Sequence, residues 1–137
     1  HDMTLPNGIG DPAREWDGQR FVHHVKDKAL WQPFRVPGFT CRDTGITDGT
    51  KGVAGIQVAR FEGGTPPRTV TDADIHFTFV MEGTMTLEAE GQPPVDLAPG
   101  DAFVIPPGLP ARYANCSADL ELLEAGLRGD FTSRVLD

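Results

Sequence analysis

His76 lies inside the apolar run 75–81, IHFTFVM. An imidazole titrates near neutral pH, so in a cavity it can take up and return a proton as a general acid or base. The alternative is a core histidine held by one hydrogen bond. Thr69 and Thr71 stand two residues apart, and Thr78 stands two beyond His76. On a strand each pair falls on one face, which gives hydroxyls able to bind a polar ligand. Tyr113 offers a phenol that could orient a substrate or act as an acid, and a buried phenol requires a partner; core packing is its other role. Arg60, Arg68 and Arg112 carry guanidinium forks suited to a carboxylate or phosphate, although for any single arginine a solvated surface place is the default. Arg112 alternates with Ala111 and Tyr113 and is expected to face away from them. His23 and His24 are adjacent, so a strand sends them to opposite faces and a joint metal site is not expected. Asp72 and Asp74 could be ligands of a rearranged metal site or simply start a turn.

These residues need strands to position them, and the sequence supplies many. FVHHV at 21–25, VAGIQVARF at 53–61, IHFTFVM at 75–81, TMTLEAE at 84–90, AFVI at 102–105 and LELLEA at 120–125 read as short β-strands. Residues 31–39, WQPFRVPGF, read as turn-rich. Along 53–61, Ile56, Val58 and Arg60 share one face and Gln57, Ala59 and Phe61 the other. Turn signals separate the runs at 62–67 (EGGTPP), 82–83 (EG), 91–94 (GQPP), 99–100 (PG) and 106–108 (PPG). The tail from 126 onward is expected to hold a short helix or an added strand. Short strands at this spacing predict an all-β sandwich or barrel. Trp16, Trp31, Phe34 and Phe39 are expected to form a barrel lid or a dimer contact.

The chain has 137 residues, the length of one domain, and can bury a core without disulfide or metal staples. Its 16 glycines and 12 prolines are dispersed, which indicates turns and not a disordered tract. A formal net charge of −8, with no dense Lys/Arg run, argues against nucleic-acid binding. No apolar run reaches the ~20 residues of a membrane span. Cys41 and Cys116 form neither a disulfide framework nor a CxxC pair, and as free thiols they predict a cytoplasmic protein. His1-Asp2 reads as a remnant ahead of a native Met3, residues 1–20 as an N-terminal arm, and 21–137 as the barrel.

Two blocks resemble the two motifs of the cupin superfamily. Gly100-Asp101, then 102–105 (AFVI), then Pro106-Pro107-Gly108 and Asn115 follow the pattern G-x5-P-x-G-x2-H-x3-N, except that Ala111 stands at the histidine. The stretch 79–83, FVMEG, resembles the close of the first motif. Counting back from Gly83 places His76 at that motif's glutamate and Thr69 and Thr71 at its HxH pair. The resemblance covers residues 53–125 and is similar to small bacterial single-domain cupins. It implies a single-domain cupin β-barrel, a double-stranded β-helix or jelly roll, with a small-molecule pocket, and a homodimer.

The same likeness points His76, Thr69, Thr71, Thr78, Ala111 and Tyr113 inward, toward the place where family members hold a metal through three histidines and a glutamate. Hydroxyls and a methyl are poor ligands for Fe, Mn, Ni or Zn, so no cofactor is expected. The expected function is binding of a small organic molecule, with metal-free isomerase, dehydratase or lyase chemistry that uses His76 as acid/base and Tyr113 as orienter. Arg60 is expected to contribute to ligand binding. The alternatives are a metal-dependent, dioxygenase-like enzyme with relocated ligands, in which a divalent transition metal is held by His76 with His23 or His24 and an acidic residue, and a non-catalytic binding or sensor module. No nucleotide fingerprint or nucleophile elbow occurs.

Overall fold

A computed structural model describes residues 30–43 and 54–136, together with the strand backbone at Glu15–Trp16 (β1) and Gln19–Arg20 (β2). No α-helix occurs among the described residues, and none there is long and apolar enough to cross a membrane. The remaining strands are β3 (Trp31–Pro33), β4 (Phe39–Asp43), β5 (Gly55–Phe61), β6 (Thr69–Thr71), β7 (Ile75–Glu82), β8 (Met85–Ala89), β9 (Val95–Leu97), β10 (Ala102–Val104), β11 (Ala111–Ala114), β12 (Glu121–Leu127) and β13 (Ser133–Val135). They form a six-stranded sheet in the order β10-β7-β12-β5-β4-β3 and a five-stranded sheet in the order β13-β6-β11-β8-β9, with antiparallel pairing throughout. The two sheets face each other as an all-β jelly roll.

The register sets which side chains face inward. Val80 pairs with Leu122, Leu122 with Ala59, and Ala59 with Cys41. All four are buried, so their shared face is the interior. Two residues further along β12 and β7, the same face carries Glu124 and Thr78, which pair with each other. The five-stranded sheet answers with Thr69 paired to Ala111 and Tyr113 paired to Leu87. The interior is therefore graded along the strands. Val80, Met85, Leu97, Leu120 and Leu122 pack one end, whereas Thr69, Thr71, His76, Thr78 and Glu124 occupy the other.

Two glycines permit this closure. Gly83 turns β7 into β8 at φ 77°, and a Cβ there would meet the Leu120 nitrogen at 2.7 Å. Gly126 lies across from His76 in β12, and a Cβ there would meet the Phe131 ring at 2.5 Å.

The sequence reading differs in two places. Residues 31–39 are not only turn: β3 and β4 flank a tight connection in which Phe34 N donates to Phe39 O at 3.1 Å. The prolines and Gly38 obscured β4, which begins at Phe39. Phe34 and Phe39 belong to the core and are not a lid, with ring centroids 6.1 Å apart. The tail forms the added strand β13, and the strand expected at 21–25 lies outside the described residues.

Candidate functional site

The polar end of the interior is organised by Arg35, which enters from the β3–β4 connection between the buried side chains of Phe34 and Val36. Its Nε and Nη2 donate to Glu124 Oε1 at 2.8 and 2.6 Å. Nη2 also donates to the Tyr113 hydroxyl at 3.1 Å. Nη1 makes only long contacts, 3.5 Å to Thr69 Oγ1 and 3.4 Å to Ser133 Oγ. The side chains of Arg35 and Glu124 are 13% and 5% exposed, so this is a desolvated ion pair completed by further hydrogen bonds.

His76 is 1% exposed, and its Nε2 lies 2.5 Å from Glu124 Oε1 and 3.0 Å from Arg35 Nη2. A guanidinium can only donate and a carboxylate can only accept. The shorter contact requires the hydrogen on Nε2, donated to Glu124. The exchangeable position of the ring is then Nδ1, which is buried and has no hydrogen-bond partner. Thr71 Oγ1 is likewise buried without a partner, and Thr78 Oγ1, beside the Tyr113 phenol, makes no well-formed hydrogen bond. Buried polar atoms are ordinarily satisfied, so these three, on β7 and β6 at the polar end of the interior, have capacity there for a further hydrogen bond. Phe131 closes this end, its ring centroid 5.5 Å from that of His76 and 5.9 Å from the Arg35 guanidinium carbon.

The electrostatics follow from this geometry. Burial pushes the Glu124 carboxyl up, but Arg35 and the hydrogen bond from His76 outweigh it and hold the group below its ordinary value. Burial pushes the Tyr113 phenol up; Arg35 pulls it down and Glu124 pushes it further up, and the net direction is upward. Burial opposes the charge of Arg35, yet Tyr113 and Glu124 more than offset this and hold it firmly cationic. The site thus contains a fixed cation, a fixed carboxylate, a protonated phenol and an imidazole oriented by the carboxylate.

The structure brings together His76, Tyr113, Thr69, Thr71, Thr78 and Ala111, all buried. It does not bring Arg60 to them. Arg60 pairs across the sheet with Glu121 and Thr40, on the face opposite Ala59, where it binds Glu62 at 3.0 Å and lies 3.8 Å over the Trp31 ring. Period-2 alternation with Ala59 inward sends it out. Arg112 pairs with Glu88 on the outer face, and Arg68 is exposed. Asp72 accepts from Thr132 N at 2.6 Å and Thr132 Oγ1 at 2.9 Å, which ties down the turn that carries Phe131. His23 and His24 lie outside the described residues.

Sequence reasoning missed Arg35 and Glu124. Glu124 was findable: it has the parity of Leu120 and Leu122, a charge on an apolar face. Arg35 had no comparable signal, because a turn sets no periodicity.

Metal-using members of the family that the sequence resembles hold the ion at these four positions, and the residues present here do not fit one. The four positions hold two hydroxyls, one imidazole and a methyl, and Nε2 of that imidazole is engaged by Glu124. The Arg35 guanidinium moreover stands within reach of both Thr69 and His76. No group of three metal-ligating side chains occurs among the described residues. A separate cleft of about 420 Å³ lies near the apolar end, lined by Thr86, Asp96 and Asn115 among others, where Thr86 Oγ1 donates to Asp96 at 2.8 Å.

A family model described as cupin domain matches residues 58–126, half of the chain. Solved structures agree in fold. The nucleoside dehydratase Pac13 of Streptomyces is 13% identical at a TM-score of 0.64, covering 83% of this chain and 91% of its own. The polyketide cyclase RemF from Streptomyces resistomycificus is 16% identical at 0.69, covering 85% and 86%. KdgF from Halomonas sp. is 20% identical at 0.61, covering 77% and 93%. No curated protein sequence matches the chain.

Proposed function

The chain belongs to the cupin family, and from that premise we propose that it is an acid–base enzyme acting on a small organic molecule, with His76 as the base and Tyr113 as the acid. The observation that carries this reading is the pairing of Glu124 with His76 Nε2, which leaves Nδ1 buried and unengaged. A carboxylate that fixes one ring nitrogen orients the other for proton transfer and stabilises the imidazolium that forms. Tyr113 keeps its proton under neutral conditions because burial holds it up, so it can donate to a departing or developing oxygen. Isomerisation, dehydration and elimination all combine these two acts. Solved neighbours named as a dehydratase and a cyclase are consistent with that reaction class.

The test is deuterium incorporation at carbon. A panel of 2-keto and 3-keto acids in D2O, followed by proton NMR, should show wild-type protein accelerating exchange at a carbon next to a carbonyl. His76→Asn should lower that rate by about 10²-fold or more, the usual worth of a positioned base. Exchange no faster than in buffer across the panel would leave a binding module in place of an enzyme.

The same proposal includes a cytoplasmic homodimer. Ile75, Met81, Val104 and Leu127 are exposed on the outer face of the six-stranded sheet, where Ile75 pairs with Leu127 and Val104 with Phe77. An apolar outer face on an antiparallel sheet suits a second copy. Light scattering should give a dimer mass for wild type and a monomer mass for Val104→Glu; a wild-type monomer would remove this part.

A further inference from the structure

We propose that the Arg35 guanidinium takes the place of the family's metal ion, and that its Nη1 edge, with the hydroxyls of Thr69, Thr71 and Ser133, binds an oxygen of a carboxylate or an enolisable carbonyl ligand. This inference rests on the acid–base reading only for what happens after binding; the docking stands by itself.

The location carries the first half. Arg35 Nη1 approaches Thr69 and Nη2 approaches His76, two of the four positions where the family resemblance puts metal ligands. A third, Ala111, pairs directly with Thr69. A resident positive charge therefore stands where a divalent ion would stand, and it is fixed in place by Glu124 through Nε and Nη2.

The second half follows from what the guanidinium leaves over. Glu124 uses the Nε and Nη2 edge of the fork, and Nη1 has only neutral hydroxyls at 3.4 and 3.5 Å, longer than a good N–H···O bond. Thr71 shares the interior face of β6 with Thr69, pairs with Ser133, and has a buried hydroxyl with no partner. The two N–H groups of Nη1 thus meet only hydroxyl oxygens at long range, and the Thr71 hydroxyl meets no partner. An oxygen bearing full or partial negative charge satisfies all of them, whereas an alkyl group satisfies none. With that oxygen in place, His76 Nδ1 takes the proton from the adjacent carbon. The C–H electron pair becomes the C=C bond of an enolate, whose oxygen rests on Arg35 Nη1. Return of that proton from Nδ1 to the carbon closes the cycle without any redox change.

The test pairs each anion with its neutral isostere in calorimetric titrations at neutral pH: acetate against acetamide, pyruvate against pyruvamide, benzoate against benzamide. At least one carboxylate should bind about tenfold or more tightly than its amide, as expected for a charge-assisted contact in a desolvated site. Arg35→Gln/Glu124→Gln removes both buried charges together and should abolish that preference. Thr71→Val should weaken the carboxylate several-fold with an unchanged melting temperature. Amides that bind as tightly as their carboxylates, or no carboxylate binding at all, would overturn the proposal. A carboxylate preference with no dependence of exchange on His76 would instead remove the acid–base reading and leave the docking intact.

Discussion

Arg35 and Arg60 make the same kinds of contact in opposite surroundings. Each pairs with a glutamate, Glu124 or Glu62, and each lies near an aromatic ring, Phe34 or Trp31. Arg60 and Glu62 are each 46% exposed, and water can replace either partner. Arg35 and Glu124 are enclosed, and nothing replaces a lost partner there. The contrast teaches that the outer pair is surface furniture while the inner pair is a constraint on the whole interior. Removing one inner charge strands the other in a low-dielectric space.

The sharpest way to break this comparison is to remove each arginine in turn. Arg35→Gln should lower stability by about 3–5 kcal/mol in chemical denaturation, the cost of an unpaired buried carboxylate. Arg60→Gln should leave the midpoint within experimental scatter, as exposed pairs ordinarily do. Equal effects would erase the distinction.

A smaller effect is expected in the pH dependence. Glu124 has a folded value below its ordinary one because Arg35 and His76 outweigh burial. Its carboxylate therefore adds stability above the unfolded value of about 4.3. That stability drains away as pH falls through the lower folded value. Wild type should lose stability along this acid limb, and Glu124→Gln should show a flatter curve there.

The smallest effect is spectroscopic. Tyr113 is the chain's single tyrosine, so phenolate absorbance reports it alone. Burial, with Glu124 adding to it, should place the alkaline midpoint above the usual value of about 10. Glu124→Gln should move that midpoint downward, since it takes away a neighbouring negative charge.

The fold was legible because alternation and turn chemistry are local. The 75–81 run became β7, and the GD and PPG signals fell where chain reversals occur; Gly108 N donates to Thr71 O at 2.9 Å and Ile105 N to His76 O at 3.1 Å. The inward set of Thr69, Thr71, His76, Ala111 and Tyr113 was legible for the same reason, through motif spacing. The strand pattern alone left the facing of Arg60 open, because it does not say which side is covered; Ala59, fully buried, puts Arg60 on the outer face. Arg35 was missed because its role comes from a turn and from partners scattered along the chain. Pairings of that kind have no period, and a single sequence does not display them.

That scatter has a consequence for how the protein comes into being. Arg35 is separated by 89 residues from Glu124 and by 98 from Ser133. Synthesis delivers the cation early and its counter-charge late, so during translation Arg35 must remain hydrated on an unfinished sheet. Only after β12 and β13 have emerged can the charge go under cover, in one late step with the slow, non-local character of such closures. A chain interrupted before Glu124 lacks both the counter-charge and most of β12, the strand that lies between β7 and β5, so its Arg35 has neither partner nor cover.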